Sequence, residues 1–146
     1  MAKFKVEVDH VKTGAWAGLI GGVVFGAMMG ALGFLPMVGA LIGSSSPVAG
    51  FLVHIVISVG LGALFAVFFG HASTDEIHAV VLGLLYGFIW WILGALFIMP
   101  VWLGMGPMLG AEGVAMSLPS LWGHLVFGFI LGLMYSYLQK GCKSCA

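Results

Sequence analysis

The residues of this sequence best suited to chemistry are two histidines, His54 and His124, each inside a long apolar segment. Each is followed by a glycine eight residues later, Gly62 or Gly132, and by an aromatic residue three positions beyond that glycine. An ionisable side chain within a membrane span is costly, so its presence there indicates a functional site. Because the two segments match, the histidines predict one symmetric site.

Several chemistries fit this pair of imidazoles. If both rings face a common axis, they could ligate one b-type haem iron from opposite sides. The same pair could hydrogen-bond a quinone headgroup, or bind copper together with methionine. Each histidine could equally donate to a carbonyl or a serine hydroxyl and so fix the packing of its helix. Spacing alone leaves these alternatives open.

Two further pairs of sulfur-bearing residues are candidate metal ligands. Met105 and Met108 lie in an apolar segment of residues 100–118, where their thioethers would suit Cu(I); methionine also fills irregular gaps in packing. Cys142 and Cys145 form a CxxC pair, which is a redox couple, half of a metal site or an unused reduced tail. Two thiolates do not complete a tetrahedral site, so a metal there would need a partner chain.

The composition indicates an integral membrane protein. Of 146 residues, 62% are hydrophobic and 7% are charged, and the formal net charge is zero. Long apolar stretches without charge are the membrane signature. Nucleic-acid binding is excluded by the absence of a basic face that could neutralise phosphates. The polar start of mixed charge is unlike a signal peptide, so the first span is expected to be retained.

Four apolar segments are expected to cross the bilayer: residues 13–35, 48–70, 77–99 and 119–138. Each has about 20 residues or more, which is enough to cross a hydrocarbon core of ~30 Å. Backbone groups must be satisfied internally in lipid, so the spans are predicted to be helices. The sequence therefore predicts an all-α four-helix membrane bundle, a single domain over residues 1–146.

The lysines predict the orientation of the spans. All five lie near the two ends of the sequence, at Lys3, Lys5, Lys12, Lys140 and Lys143. Lysine is enriched in cytoplasmic segments, so both termini are predicted to be cytoplasmic, in a multi-pass protein of the cytoplasmic (inner) membrane.

The two halves of the chain are predicted to be repeats. Residues 30–36 (GALGFLP) resemble residues 94–100 (GALFIMP), in addition to the matching histidine segments. Repeat one covers about 13–70 and repeat two about 77–138, so both hairpins insert in the same direction, around a pseudo-twofold axis along the membrane normal. Both histidines are then expected about 8–10 Å below the outer membrane edge.

A glycine zipper is predicted in the first span, where five glycines recur every fourth residue: Gly14, Gly18, Gly22, Gly26 and Gly30. Such a stripe lies along one helix face and lets another backbone approach closely. We favour a partner helix of the same chain over one of another subunit. The bulky side chains around the third span are expected to face lipid or the interface: Trp90, Trp91, Phe97 and Trp102.

A segment around each histidine resembles a known group of proteins. Residues 122–135 (WGHLVFGFILGLMY), with 52–54 (LVH) and 63–66 (ALFA), are similar to the YagU-like proteins and related small four-span bacterial and archaeal membrane proteins of unknown function. The likeness extends from about Gly14 to Tyr137 and excludes the lysine-bearing ends and the CxxC pair. It implies an integral inner-membrane protein and supplies no reaction.

These patterns favour a membrane protein without catalytic activity of its own. No nucleophile triad, nucleotide loop or paired carboxylates equip the sequence for hydrolysis or phosphoryl transfer. We expect a subunit that self-associates or is accessory to a larger membrane complex, for instance one of electron transfer. The alternatives are an electron-transfer protein that binds haem, quinone or copper through His54 and His124, and a small transporter or channel.

Overall fold

The computed structural model describes residues 8–73 and 75–143, which form helices joined by turns and short loops, with no strand among them. Five numbered helices follow one another along the described residues: α1 (Val8–Ala31), α2 (Leu35–Gly39), α3 (Pro47–Phe69), α4 (Glu76–Trp102) and α5 (Ala111–Lys143). A single 3₁₀ turn, Ala40–Ile42, extends α2. Four of the numbered helices, all except α2, are long and apolar enough to cross a membrane. The predicted all-α class with four candidate spans is therefore confirmed.

The fourth span starts earlier than predicted. Residues 100–118 were expected to form a loop, but α4 continues to Trp102 and α5 begins at Ala111. Pro119, the predicted first residue of the span, lies inside α5. Proline removes one backbone donor, and membrane helices tolerate that loss because neighbouring groups satisfy the freed carbonyl. The remaining loop is therefore only residues 103–110.

Recognisable turns and caps end and start the helices. Gly33 has a φ of +75° just beyond α1, and the amide of Phe34 donates to the Met29 carbonyl at 2.9 Å. This is a Schellman end, which requires a left-handed residue and so favours glycine. α3 starts with Pro47 directly after Ser46, whose hydroxyl accepts from the Ala49 amide.

Asp75 caps the first turn of α4. Its Oδ1 accepts from the backbone amide of His78 at 2.9 Å, and its Oδ2 lies 2.8 Å from Nδ1 of the same residue. The backbone hydrogen bond from His78, followed by the one from its side chain, lowers the pKa of the Asp75 carboxyl below its ordinary value. A charged carboxylate also interacts favourably with the N-terminal dipole of the helix.

The long helices pack in the order α3, α1, α5, α4. α1 lies along α3, α4 lies along α5, and α1 also packs extensively against α5, whereas α3 and α4 touch little. We call the end where α1 begins and α5 ends the terminal end, and the opposite end, with α2 and residues 103–110, the loop end. Phe65 of α3 reaches across to α4, where few other residues of the two helices touch. Its ring centroid lies 5.4 Å from that of Tyr86 in α4 and 5.6 Å from that of Tyr135 in α5.

Glycines make the α1–α3 and α4–α5 contacts unusually close. A Cβ atom added to Gly18 would lie 2.8 Å from the Cα of Gly62, closer than real Cβ atoms approach. In the second pair, a Cβ on Gly83 would lie 3.1 Å from the Cα of Gly132. Small residues let backbones meet directly in this way, which suits association in lipid, where no hydrophobic force drives helices together.

The predicted glycine stripe of α1 lies mostly against α3 of the same chain. Gly14 and Gly18 meet Gly62, Gly22 meets Ser58, and Gly26 meets the rings of Phe51 and His54. The fifth member, Gly30, has only a side-chain tip of Leu35 near it. The stripe thus has its partner within the chain over four of its five positions.

Trp91 differs from the expectation that the aromatic residues around span three face lipid or the interface. Its side chain is 5% exposed, and its Nε1 donates to the Ser117 carbonyl at 3.1 Å, which ties α4 to α5. Trp90 is half-buried against the core, whereas Phe97 and Trp102 are 45% and 71% exposed. Trp91 starts a π-helical segment, Trp91–Ile98, and such segments often accompany local adjustment of a helix.

Candidate functional site

His54 is buried between α3 and α1. Its side chain is 7% exposed, and Nε2 lies 3.0 Å from the Gly22 carbonyl oxygen. A carbonyl only accepts, so Nε2 carries the hydrogen and donates. Ser58 Oγ, one turn further along α3, lies 3.4 Å from the same nitrogen. The imidazole therefore ties α3 to α1 at the point where Gly22 allows the two backbones to approach.

His124 is half-buried and makes its hydrogen bond within its own helix. Its Nδ1 donates to the Ser120 carbonyl at 2.8 Å, and Ser120 Oγ lies 3.3 Å from the same nitrogen. The backbone carbonyl of His124, by contrast, meets Gly87 of α4. The two histidines thus use different ring nitrogens and different kinds of partner.

Phe25 of α1 brings the two histidines into one cluster. Its ring centroid lies 5.0 Å from that of His54 and 4.9 Å from that of His124, with interplanar angles of 90° and 65°. These edge-to-face arrangements are favourable for aromatic pairs. The imidazoles therefore both pack against one phenyl ring, and Gly123 provides the space that this ring occupies on α5.

This geometry favours a structural role for the histidine pair. A haem held by both imidazoles would need the space between them, yet the ring of Phe25 packs against both. Among the described residues, no group of three or more histidine, cysteine, aspartate or glutamate side chains could hold a metal ion. The arrangement is suited to cross-linking helices through imidazole hydrogen bonds and ring contacts.

A second feature lies beside this cluster, at the loop end. A cavity of about 220 Å³ opens there between α1, α2, α4, the loop of residues 103–110 and α5. Phe25, Ser120 and Gly123 form its inner wall, so it adjoins the residues that surround His124. Met105 and Met108, the sequence-predicted ligands, both line it.

Sequence reasoning missed three of the seven methionines that line this cavity. Met28, Met29 and Met99 join Met105 and Met108 there. The available signal was their place at the ends of spans one and three, which meet at the same membrane edge. It was overlooked because these residues read as ordinary apolar positions within a span.

The terminal end carries a third polar group of residues. Nδ1 of His10 lies 2.8 Å from the Tyr135 hydroxyl and accepts from the Gln139 side-chain amide at 3.1 Å. The ring of His71 lies 5.9 Å from that of His10. This cluster joins the start of α1 to the end of α5. The predicted CxxC pair stays a prediction, since Cys145 and the side chain of Cys142 lie outside the described residues.

Comparison with models of protein families, with curated proteins and with solved structures found no match to this chain. The resemblance to YagU-like proteins therefore stays a prediction.

Proposed function

We propose that the chain is a small non-catalytic subunit of the cytoplasmic membrane that associates with its own copies or with other membrane subunits. The observation that carries this proposal is the apolar surface of the loop end. Large side chains are exposed there outside the central part of the spans: Ile42, Trp102, Met105, Leu109 and Met116. Contiguous exposed apolar surface marks an interaction site with protein or membrane.

Charge patterning supports protein contact at this end. Between Pro100 and Pro119 the only charged residue is Glu112, and residues 36–47 contain none. α5 has 33 residues, so at 1.5 Å per residue it is about 50 Å long, well above a hydrocarbon core of ~30 Å. Part of an apolar helix therefore extends past the core, where a partner subunit would cover it.

Membrane cross-linking tests the association. With Cys142 and Cys145 replaced by serine, a single cysteine is introduced by Leu109→Cys at the loop end. The matched control is Val81→Cys, which is likewise about half-exposed but lies on the flank of α4. We expect a bifunctional thiol reagent to give a two-copy adduct, or a stoichiometric adduct with one membrane protein, only from the loop-end variant. A monomer from both variants would contradict the proposal and indicate that this end lies in the lipid interface.

The proposal includes parallel repeats with both termini in the cytoplasm. It is supported by the matching glycine contacts: Gly18 meets Gly62 in the first hairpin, as Gly83 meets Gly132 in the second. The lysines near both ends of the sequence support the orientation. A fluorescent protein that folds only in the cytoplasm, fused after residue 146, should fluoresce. A dark fusion, together with an active periplasmic reporter at the same position, would reverse the orientation.

The cofactor and transport alternatives receive less support. Phe25 packs against both imidazoles, where a shared haem or quinone would be expected to lie. The tyrosines that could line a pore are bonded inside the bundle, as Tyr86 donates to the Leu61 carbonyl at 2.8 Å. A Soret band from protein purified out of haem-replete membranes, lost in His54→Ala and in His124→Ala, would restore the haem hypothesis.

A further inference from the structure

The loop-end cavity gathers nearly all the methionines of the chain. Of nine in the sequence, seven line it: Met28, Met29, Met37, Met99, Met105, Met108 and Met116. Of the other two, Met1 lies outside the described residues, and Met134 packs near the core cluster further along α5. The remaining wall is apolar apart from Ser117 and Ser120, and it contains no charged side chain.

The methionines are brought together by the tertiary structure, because they come from separate parts of the sequence. α1, α2, α4, the loop of residues 103–110 and α5 each contribute at least one thioether. Methionine used only to fill gaps would be expected wherever packing is irregular. Here only Met29 and Met134 pack against the core cluster around Phe65 and Tyr135, whereas seven methionines, Met29 among them, line one open volume.

The loop that carries Met105 and Met108 is held in place by backbone bonds. In an α-helix the Leu96 carbonyl would accept from residue 100, but Pro100 has no N–H to donate. The Leu96 carbonyl accepts instead from the amide of Met108, at 2.7 Å. The Met105 amide donates to the Pro100 carbonyl at 2.9 Å. Both thioethers are thereby anchored to the end of α4.

Two glycines in a left-handed conformation flank Met105 in this loop. Gly104 and Gly106, on either side of it, both have a φ of +76°, in the left-handed region that other residues rarely adopt. The exposed fraction of Met105 is 61% and that of Met116 is 72%, whereas Met99 and Met108 are half-buried. Thioethers therefore extend from the mouth of the cavity to its interior.

From this lining we infer that the cavity is a binding site for Cu(I). Thioethers are soft, neutral ligands that select Cu(I), whereas Mg²⁺, Ca²⁺ and Mn²⁺ require oxygen donors. A neutral, apolar wall also disfavours ions of higher charge, because the cost of desolvation rises with charge. Methionine has three rotatable bonds, so several thioethers can bend inward to surround one ion in a cavity of about 220 Å³.

The test is a Cu(I) titration of the full chain in detergent, under reducing and oxygen-free conditions, against a coloured Cu(I) chelator. The thiols of Cys142 and Cys145 would also bind Cu(I), so all proteins carry serine at both positions. In this background Met28→Leu, Met99→Leu and Met108→Leu are combined, since leucine retains volume and apolarity. Met134→Leu, outside the cavity, is the matched control.

We expect the parent and the Met134→Leu control to bind Cu(I) equally, with sulfur scatterers in X-ray absorption. The triple variant should bind at least about tenfold more weakly, since even groups that only support a metal ligand contribute that much. Equal helix content and thermal unfolding of the triple variant and the control establish that the change is local.

The inference is overturned if the cysteine-free parent cannot compete with the chelator, or if the triple variant binds as tightly as the control. An apolar ligand that fills the cavity while Cu(I) does not would likewise overturn it. Copper affinity is measured on the isolated chain and cross-linking in membranes, so failure of one experiment does not imply failure of the other.

Discussion

Gly18 and Gly62 bring the backbones of α1 and α3 into direct contact, because a Cβ atom on Gly18 would lie 2.8 Å from the Cα of Gly62. No side chain separates the helices at this level. His54 bonds the Gly22 carbonyl one turn further along α1. The close approach is therefore a condition for the hydrogen bond that joins the histidine cluster to α1.

Replacing Gly62 by alanine should separate α1 from α3. The added methyl would meet the backbone of Gly14 and the Cα of Gly18, at 2.7 Å, and backbone atoms cannot move aside cheaply. We expect a loss of about 1–3 kcal/mol, typical of overpacking. The free energy of unfolding is measured by titration with sodium dodecyl sulfate in mixed micelles.

Gly60→Ala is the matched control for this change. It lies on the same helix, and a Cβ there would have nothing within 4 Å. Alanine favours a helix over glycine, so this variant should be as stable as the parent or slightly more stable. Equal destabilisation by the two substitutions would contradict a contact-specific role for Gly62.

Phe25→Ala should destabilise the bundle strongly. Phe25 is 7% exposed and contacts both imidazoles, so its removal leaves a cavity where α1, α3 and α5 meet. Burial of this kind is worth about 3–5 kcal/mol. Thermal unfolding followed by circular dichroism measures the loss, and Phe129→Ala, at a side chain 45% exposed, should change it little. Similar losses for the two variants would refute the central position of Phe25.

His54→Leu should weaken the bundle more than His124→Leu. The first change removes a donor that reaches from α3 to α1, whereas the second removes a bond within α5. Hydrogen bonds between membrane helices contribute about 0.6 kcal/mol on average. The same detergent titration should show a loss of this order for His54→Leu and a smaller one for His124→Leu. The reverse order would argue that His124 has the larger structural role.

The start of α4 should lose stability in acid. The folded-state pKa of Asp75 lies below its ordinary value, chiefly because the His78 amide donates to the carboxylate. The stabilisation is therefore fully present above the unfolded pKa and disappears as the pH falls through the folded pKa. Hydrogen exchange of the first amides of α4 measures this change.

Two variants at this cap separate its hydrogen bond from its charge. Asp75→Ala should expose the first turn of α4 at every pH, because no side-chain acceptor is left. Asp75→Ser should keep the cap and lose its acid dependence. Acid sensitivity retained in the serine variant would assign the effect to another group.

Helix formation and membrane character were predictable from local sequence. Apolar runs of sufficient length define spans, and proline and serine at residues 46–47 mark the start of α3. The start of span four was harder to predict, since Pro119 reads as a boundary but lies within α5. The glycine stripe predicted close packing, but only the structure identified α3 as the partner helix. Glycine spacing shows that a helix can be approached closely and does not show which helix approaches it.

The sequence by itself determined the number of candidate spans, the presence of one histidine in each of two apolar spans and the glycine pattern that lets helices approach. These are properties of local composition and period. The tertiary structure decided that His54 and His124 both pack against Phe25, and that methionines from five parts of the chain line one cavity. Such convergence depends on which helix faces meet, and residues far apart in sequence carry no local signal of that.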